Sequence, residues 1–213
     1  MSKALRYLFF LLVVRPAVLV VLGLNVRHRQ RLMTEGPAIL VANHNSHLDT
    51  MVLMTLFPMR LLPRLRPVAA ADYFMKTPLR AWFATEILGI IPLTRAVKAG
   101  GGDPLAGCSA ALERGEILIL FPEGSRGEPE RLTDFKSGIA HLAKRHERVP
   151  IIPLFLHGLG KALPKGEALL VPFFCDVFVG ERLAWTGERA TFMAALEQRI
   201  SALAAEGQFP PWD

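Results

Sequence analysis

Ala38-Ile39-Leu40-Val41-Ala42, running straight into Asn43-His44-Asn45-Ser46-His47-Leu48-Asp49-Thr50, is the stretch that decides the fold. Five apolar residues without alternation read as a strand buried on both faces, the kind that lies inside a parallel sheet. Polar residues crowd in directly behind it, and His47–Phe57 (HLDTMVLMTLF) then reads as a helix ended by Pro58. The same alternation continues along the chain. Pro67–Ala71 reads as a strand and Thr77–Leu88 as a helix with Pro78 in its first turn. Gly89–Leu93 leads into Thr94 and Arg95, and Lys98–Gly102 is a glycine-rich loop. Asp103–Arg114 reads as a helix with Asp103 as its N-cap. Glu116–Phe121 (EILILF) is a buried strand, Thr133–His146 a helix and Val149–Leu156 (VPIIPLFL) a strand. Ala168–Val179 supplies one or two more strands, and Arg189–Ala205 a final amphipathic helix. The expected architecture is α/β: a layered domain with a mostly parallel or mixed central sheet flanked by helices, preceded by a helical N-terminal segment that associates with membrane.

At 213 residues the chain buries a sizeable core, and 51% hydrophobic against 21% charged residues excludes disorder as its main state. Two cysteines, Cys108 and Cys175, exclude a disulfide scaffold and a four-cysteine zinc site. Six of the 25 basic residues (Lys3, Arg6, Arg15, Arg27, Arg29 and Arg31) fall in residues 1–31, which hold no acid; the remaining 19 balance the 19 acids. A nucleic-acid binder spreads its cations over the body. Concentration on one terminal segment points to an anionic membrane surface.

That segment is also apolar: Tyr7–Val14 and Pro16–Leu24 flank Arg15. A spanning helix would place Arg15 near mid-bilayer, at a cost of about 2.5–3.5 kcal/mol. A signal peptide would need a small-residue cleavage site, which GLNVRHRQ does not offer. A half-inserted hairpin would turn or kink at Arg15-Pro16, with legs of about 12–14 Å. A buried core helix is a further reading. The expected division is an anchor over residues 1–31 and a domain over 32–213, with the domain folding even when residues 2–26 are removed.

The octapeptide after the first buried strand carries the candidate chemistry. Polar groups at the end of an α/β strand stand where ligands bind. His44 and Asp49 would diverge by about 140° on one continuous helix, but they can meet if the helix begins near Ser46. A carboxylate on one imidazole nitrogen fixes the tautomer and leaves the other nitrogen as a base. Ser46-x-x-Asp49 is equally a capping box, and His44, His47 and Asp49 are conceivable metal ligands, although no second cluster of metal type accompanies them. Phe121-Pro122-Glu123-Gly124-Ser125-Arg126-Gly127 follows another buried strand, and its Gly-flanked turn with a hydroxyl and an arginine suits an oxyanion or phosphate. Arg95 is a second candidate cation. The same turn also reads as a tight bend with solvated charges.

Four blocks occur in order: Asn43-His44 with Asp49; Gly89-Ile90-Ile91-Pro92-Leu93-Thr94-Arg95; Phe121-Pro122-Glu123-Gly124-Ser125-Arg126; and Val149-Pro150-Ile151-Ile152-Pro153. Together they resemble the glycerolipid acyltransferases, in particular the lysophosphatidic acid acyltransferase (1-acylglycerol-3-phosphate O-acyltransferase) family, over about residues 35–160. The resemblance implies transfer of a fatty acyl chain from an acyl-CoA or acyl carrier protein thioester to the free hydroxyl of a lysophospholipid. It implies His44 as general base, Asp49 as the group that orients it, and Arg95, Glu123, Gly124, Ser125 and Arg126 as the acceptor-binding set. Val149–Pro153 would help shape the acyl-donor side. Two departures stand out. Ala69-Ala70-Ala71-Asp72-Tyr73-Phe74 lacks the lysines common before the second block, and Ser125 stands where Thr is usual.

A thioester is already activated, so the reaction needs a base rather than a covalent nucleophile, and an imidazole, ordinarily of pKa about 6.5, suits that task. Backbone amides near Ser46 are candidate donors to the oxyanion. No metal or organic cofactor is implied; the thioester is a co-substrate. The partners expected are a membrane lipid acceptor, acyl-CoA or acyl carrier protein, and an anionic membrane surface, with no nucleic acid. The protein is expected on the cytoplasmic face of the cell membrane, peripheral or monotopic. The rival readings are acylation of another lysolipid, a lipid or thioester hydrolase, and a non-catalytic lipid-binding protein.

Overall fold

A computed structural model describes residues 2–33, 35–94, 102–125, 133–162 and 174–209. Its strands are β1 (Gly23–Arg27), β2 (Ala38–Ala42), β3 (Leu65–Ala70), β4 (Ile91–Leu93), β5 (Ile117–Leu120), β6 (Ile151–His157) and β7 (Phe174–Val179). The helices are α1 (Ser2–Phe9, prolonged by wide turns over Phe10–Val14 and Ala17–Val21), α2 (Leu48–Thr55), α3 (Ala71–Phe74), α4 (Pro78–Trp82, prolonged over Phe83–Leu88), α5 (Ala106–Glu113), α6 (Gly138–Arg145), α7 (Leu159–Ala162) and α8 (Arg189–Glu206). The strands form one mixed sheet in the order β1-β7-β6-β2-β5-β3-β4, parallel at every neighbour except β6–β7.

The uninterrupted apolar strands are explained by a helical layer on each face. Ala38, Leu40 and Ala42 of β2 join the core beneath α1 and α2, whereas Ile39 and Val41 face the core beneath α5, α6 and α8. Both cysteines are buried thiols, and burial pushes Cys108 up to about 11. The parallel register places the ends of β2 and β5 side by side, Val41 opposite Leu120, and sets Leu154 beside Ala42 so that β6 overshoots β2 by three residues. The polar turns after these strands therefore share one edge. β1 and β7 run the other way, so their first residues, Gly23 and Phe174, lie at that same edge.

The N-terminal segment differs from expectation. No turn forms at Arg15-Pro16; the helix runs through both residues with φ and ψ in the right-handed region. Wide turns make this possible. The Arg15 N–H bonds to Phe10 O and the Leu22 N–H to Ala17 O, five residues back, so the ladder that Pro16 would interrupt is already loosened. These turns also explain the burial pattern. Arg6, Phe10, Val14, Val18 and Leu22 are all buried at a strict spacing of four, although four residues of α-helix overshoot a full turn by about 40°. Wider turns rotate less per residue and keep the stripe in line.

Arg6 fastens this helix. Its guanidinium donates to Leu65 O at 3.0 Å and Leu88 O at 3.2 Å, with Gly89 (φ +74°) packed over it where a Cβ would collide. Burial, with help from the Arg66 charge, lowers its pKa to about 10, so it stays charged at neutral pH. The outer face carries Leu5, Leu8, Leu11, Leu12, Val13, Leu19 and Val20, all exposed. Ser2–Val21 is long and apolar enough to cross a membrane, yet its inner stripe belongs to the core. Residues 23–27 extend the sheet beside β7, and residues 2–26 contribute part of that edge strand and part of the core.

Smaller shifts have local causes. Asp103 is not the N-cap of α5; its Oδ1 accepts from Leu105 N, its Oδ2 pairs with Arg145, and the helix begins at Ala106. The helix expected from Thr133 begins at Gly138, because the preceding residues are bonded to the turn after β5. In the last strand region only Phe174–Val179 falls among the described residues.

Candidate active site

Two turns meet at the shared edge. After β2 the chain runs without regular secondary structure through Asn43–Ser46 before α2 begins at Leu48. Asn43 fixes its start: Nδ2 donates to Leu156 O at 2.9 Å and Oδ1 accepts from Leu156 N at 2.7 Å, so the side chain continues the β2–β6 ladder for one more rung. Asn45 adds a 3.3 Å bond to the same carbonyl.

Asp49, in the first turn of α2 and wholly buried, collects the rest. Its Oδ2 lies 2.8 Å from His44 Nδ1, 2.6 Å from Asn45 N and 2.8 Å from Ser46 N. The two amides can only donate, so Oδ2 is the acceptor, and His44 Nδ1 carries the third hydrogen. Nε2 is then the nitrogen with a free lone pair. The capping and orienting readings of Asp49 thus describe one oxygen. The cap is completed by the 3.3 Å bond from Leu48 N to Ser46 Oγ. Hydrogen bonds to a charged acceptor contribute about 1.5–3 kcal/mol each, comparable with the several kcal/mol that burying a carboxylate costs. Burial wins, since Oδ1 is buried without a partner, and the Asp49 pKa is raised despite its donors.

The turn after β5 supports the histidine from the other side. The Phe121 ring stacks on the His44 ring at 4.1 Å and 17°. Glu123, 3% exposed, accepts from His44 N through Oε1 at 3.2 Å and from Thr133 Oγ1 through Oε2 at 3.0 Å. Burial raises its pKa as well. Both of its oxygens thus serve the protein, and this acceptor-set residue holds the histidine's backbone in the structure. Gly124, half-buried at φ +71°, forms the turn, and Ser125 is exposed beside it. Arg95 and Arg126 lie outside the described residues. His44 keeps 19% of its side-chain surface, so an incoming group can reach it.

The expected oxyanion donors change. The amides of Asn45 and Ser46 are bonded to Asp49 and are not available to an oxyanion. Val149–Pro153 leads into and opens β6, at the end of the strand away from Leu156, with Ile151 and Ile152 wholly buried. His47 does not join His44 at Asp49; it lies exposed with its ring 6.2 Å from that of Tyr73. Among the described residues no group of three His, Cys, Asp or Glu side chains is placed to hold a metal. Lys136 was missed from sequence: its ammonium packs against Gly124. Tyr73 also borders an apolar cavity of about 390 Å³, lined with Phe74, Leu79, Arg80, Phe83 and Leu88.

Comparison with known proteins places a chain of this fold in a family. A sequence model of the Acyltransferase family matches residues 23–157, and the chain belongs to that family. It is 32% identical over 134 residues to a chloroplastic 1-acyl-sn-glycerol-3-phosphate acyltransferase of Arabidopsis thaliana, covering 63% of this chain and 35% of that protein. It is 31% identical over 137 residues to the 1-acyl-sn-glycerol-3-phosphate acyltransferase of Saccharomyces cerevisiae, covering 62% of this chain and 43% of that one. The chain thus spans less than half the length of these relatives. The crystal structure of the 1-acyl-sn-glycerophosphate acyltransferase PlsC from Thermotoga maritima superposes with a TM-score of 0.77 over 100% of this chain and 83% of that one; at 20% identity the likeness is one of fold.

The double duty of the Asp49 oxygen has a measurable signature. Asp49→Asn keeps an oxygen for the amides but cannot stabilise an imidazolium, so it should unfold within about 1 kcal/mol of wild type and lose about 10²-fold or more in turnover. Asp49→Ala should lose the same activity and a further 1–2 kcal/mol or so in urea unfolding. Full turnover in Asp49→Asn would leave the residue as a cap alone.

Proposed function

We propose that this protein is an O-acyltransferase that moves a fatty acyl chain from an acyl-CoA or acyl carrier protein thioester to the free hydroxyl of 1-acylglycerol 3-phosphate, giving phosphatidic acid for phospholipid synthesis. The observation that carries this reading is the 2.8 Å His44–Asp49 contact, which commits Nδ1 and leaves Nε2 to act as a base. The relatives' names support the acceptor. The acceptor hydroxyl attacks the thioester carbonyl while Nε2 takes its proton. The tetrahedral adduct then expels the thiolate, which recovers that proton from the imidazolium as thiol. One C–O bond forms and one C–S bond breaks. Asp49 holds the ring and offsets the imidazolium charge. The stack on Phe121 and the bond from His44 N to Glu123 keep the ring from swinging away. The apolar cavity beside Tyr73 suits an acyl chain.

A membrane-bound acceptor accounts for the apolar exterior. Val20 and Phe174 are 81% and 79% exposed, and both stand next to the active edge, where β1 and β7 begin. We read α1 as lying in the surface of the cytoplasmic leaflet rather than crossing it, with its inner stripe on the domain and its outer face in lipid. Arg27 and Arg29 remain exposed for anionic lipid, although Arg29 also reaches Leu56 O and Arg31 turns back to Val179 O and Glu181.

The decisive assay offers purified protein acyl-CoA and acyl carrier protein donors with a panel of lysolipids and identifies products by mass spectrometry. Wild type should form phosphatidic acid, and His44→Ala should lose about 10²–10⁴-fold in kcat while keeping a folded domain by circular dichroism. Thiol release without acylated lipid would make the protein a hydrolase, and near-normal turnover in His44→Ala would remove the base.

The two faces of α1 should behave differently. Val18→Asp should destabilise the fold by about 3 kcal/mol or more. Leu12→Asp with Val20→Asp should leave stability unchanged, abolish flotation on phosphatidylglycerol-containing vesicles and spare activity on a dispersed short-chain acceptor. Flotation of that double variant at the wild-type level would place the membrane contact elsewhere.

A further inference from the structure

The peptide of Leu156 ties down the loop on both sides of His44. Asn43 Nδ2 donates to Leu156 O at 2.9 Å, Asn43 Oδ1 accepts from Leu156 N at 2.7 Å, and Asn45 Nδ2 donates to the same carbonyl at 3.3 Å. That peptide lies on the overhang of β6, beyond Leu154, where β2 has already ended. Along its other edge the overhang pairs with β7 as far as His157, opposite Asp176. From the side that carries α8, Phe209 lays its ring on that of His157, with centroids 3.5 Å apart and planes inclined by 5°. The same ring meets Phe178 edge-on at 5.8 Å and 87°.

The residues after α8 are suited to this. The helix stops at Glu206, and Gln208 leaves it in the left-handed region (φ +49°). Gly207 makes room for the returning ring, since a Cβ there would collide with Phe209. Asp49 holds His44 from the side of α2 and Glu123 from the side of β5, whereas Leu156 holds its two neighbours from the side of β6. We propose that Phe209 is a positioning residue for the reaction: through His157 it steadies the Leu156 peptide, and through that peptide it steadies Asn43, Asn45 and the histidine between them. Its effect on rate rests on the acyltransferase reading; its hold on Leu156 is a property of the fold and is read separately.

The test compares wild type, Phe209→Leu and Phe209→Tyr as full-length protein in detergent. Phe209→Leu keeps an apolar cover on Phe178 but loses the ring stack, and Phe209→Tyr restores it. Amide hydrogen exchange followed by NMR reads the two ends of β6. The Leu156 N–H donates to Asn43 Oδ1, and the Ile151 N–H donates to Leu183 O at 2.9 Å. In Phe209→Leu the Leu156 amide should exchange about 2- to 10-fold faster relative to Ile151. The kcat for acyl transfer should fall by about the same factor or more, while the KM values of donor and acceptor stay within about threefold. Phe209→Tyr should recover both. Equal acceleration at Leu156 and Ile151 would make Phe209 a support of the whole domain, and wild-type kcat in Phe209→Leu would detach it from the site; either result overturns the assignment. A selective response at Leu156 in a protein that transfers no acyl group would overturn the acyltransferase reading, not the hold of Phe209 on Leu156.

Discussion

One carboxylate oxygen organises the active edge. Asp49 Oδ2 receives the hydrogens of His44 Nδ1, Asn45 N and Ser46 N, all within 2.6–2.8 Å. The two amides start α2 and the imidazole is thereby held beside its first turn. The geometry needs the helix to wait until Leu48, so that His44 lies in the loop alongside residue 49 rather than across a helix from it. Asn43 secures that exit by pairing with Leu156 through both ends of its amide. Loss of the Asp49 carboxylate therefore acts on structure and chemistry together, by separable amounts.

The sheet supplies what the loop cannot. With β5 in register beside β2, the ring of Phe121 and the carboxylate of Glu123 arrive directly against His44. The reversed direction of β1 and β7 brings the end of the N-terminal helix and Phe174 to the same edge. The His44–Asp49 pair, the Glu123-Gly124 turn and the apolar exterior converge because five strands end where two begin. The buried Arg6 keeps the exterior helix attached, replacing a membrane's hold on a free anchor with two carbonyl bonds inside the protein.

Much of this was legible in the residues. AILVA, EILILF and VPIIPLFL were found as strands to within a residue or two, because burial on both faces leaves no polar interruption to misread. The His44–Asp49 pair followed from asking where a helix would have to start. Less legible were features set by distant partners. β1 (GLNVR) alternates half-buried and exposed positions at a sheet edge, and its Asn25 and Arg27 hide it in a basic stretch. The four-residue stripe of α1 matches no α-helical period, and only the wide turns around Pro16 make it one face. Glu123 reads as a surface acid in a Gly-Ser-Arg turn, and nothing local says that both its oxygens are taken. The helix read from Thr133 begins only at Gly138, because Thr133 and Lys136 are bonded to the turn twelve or so residues earlier.

The most direct test of the account is the tautomer of His44. Nitrogen NMR of protein labelled in its histidine rings, with the His44 signals assigned by their loss in His44→Gln, distinguishes a protonated from a bare ring nitrogen. The account predicts that in the neutral ring Nδ1 is protonated with a downfield, slowly exchanging hydrogen, that Nε2 is bare, and that the downfield signal disappears in Asp49→Asn. A neutral His44 protonated at Nε2, or a ring that samples both tautomers equally in wild type, would contradict it.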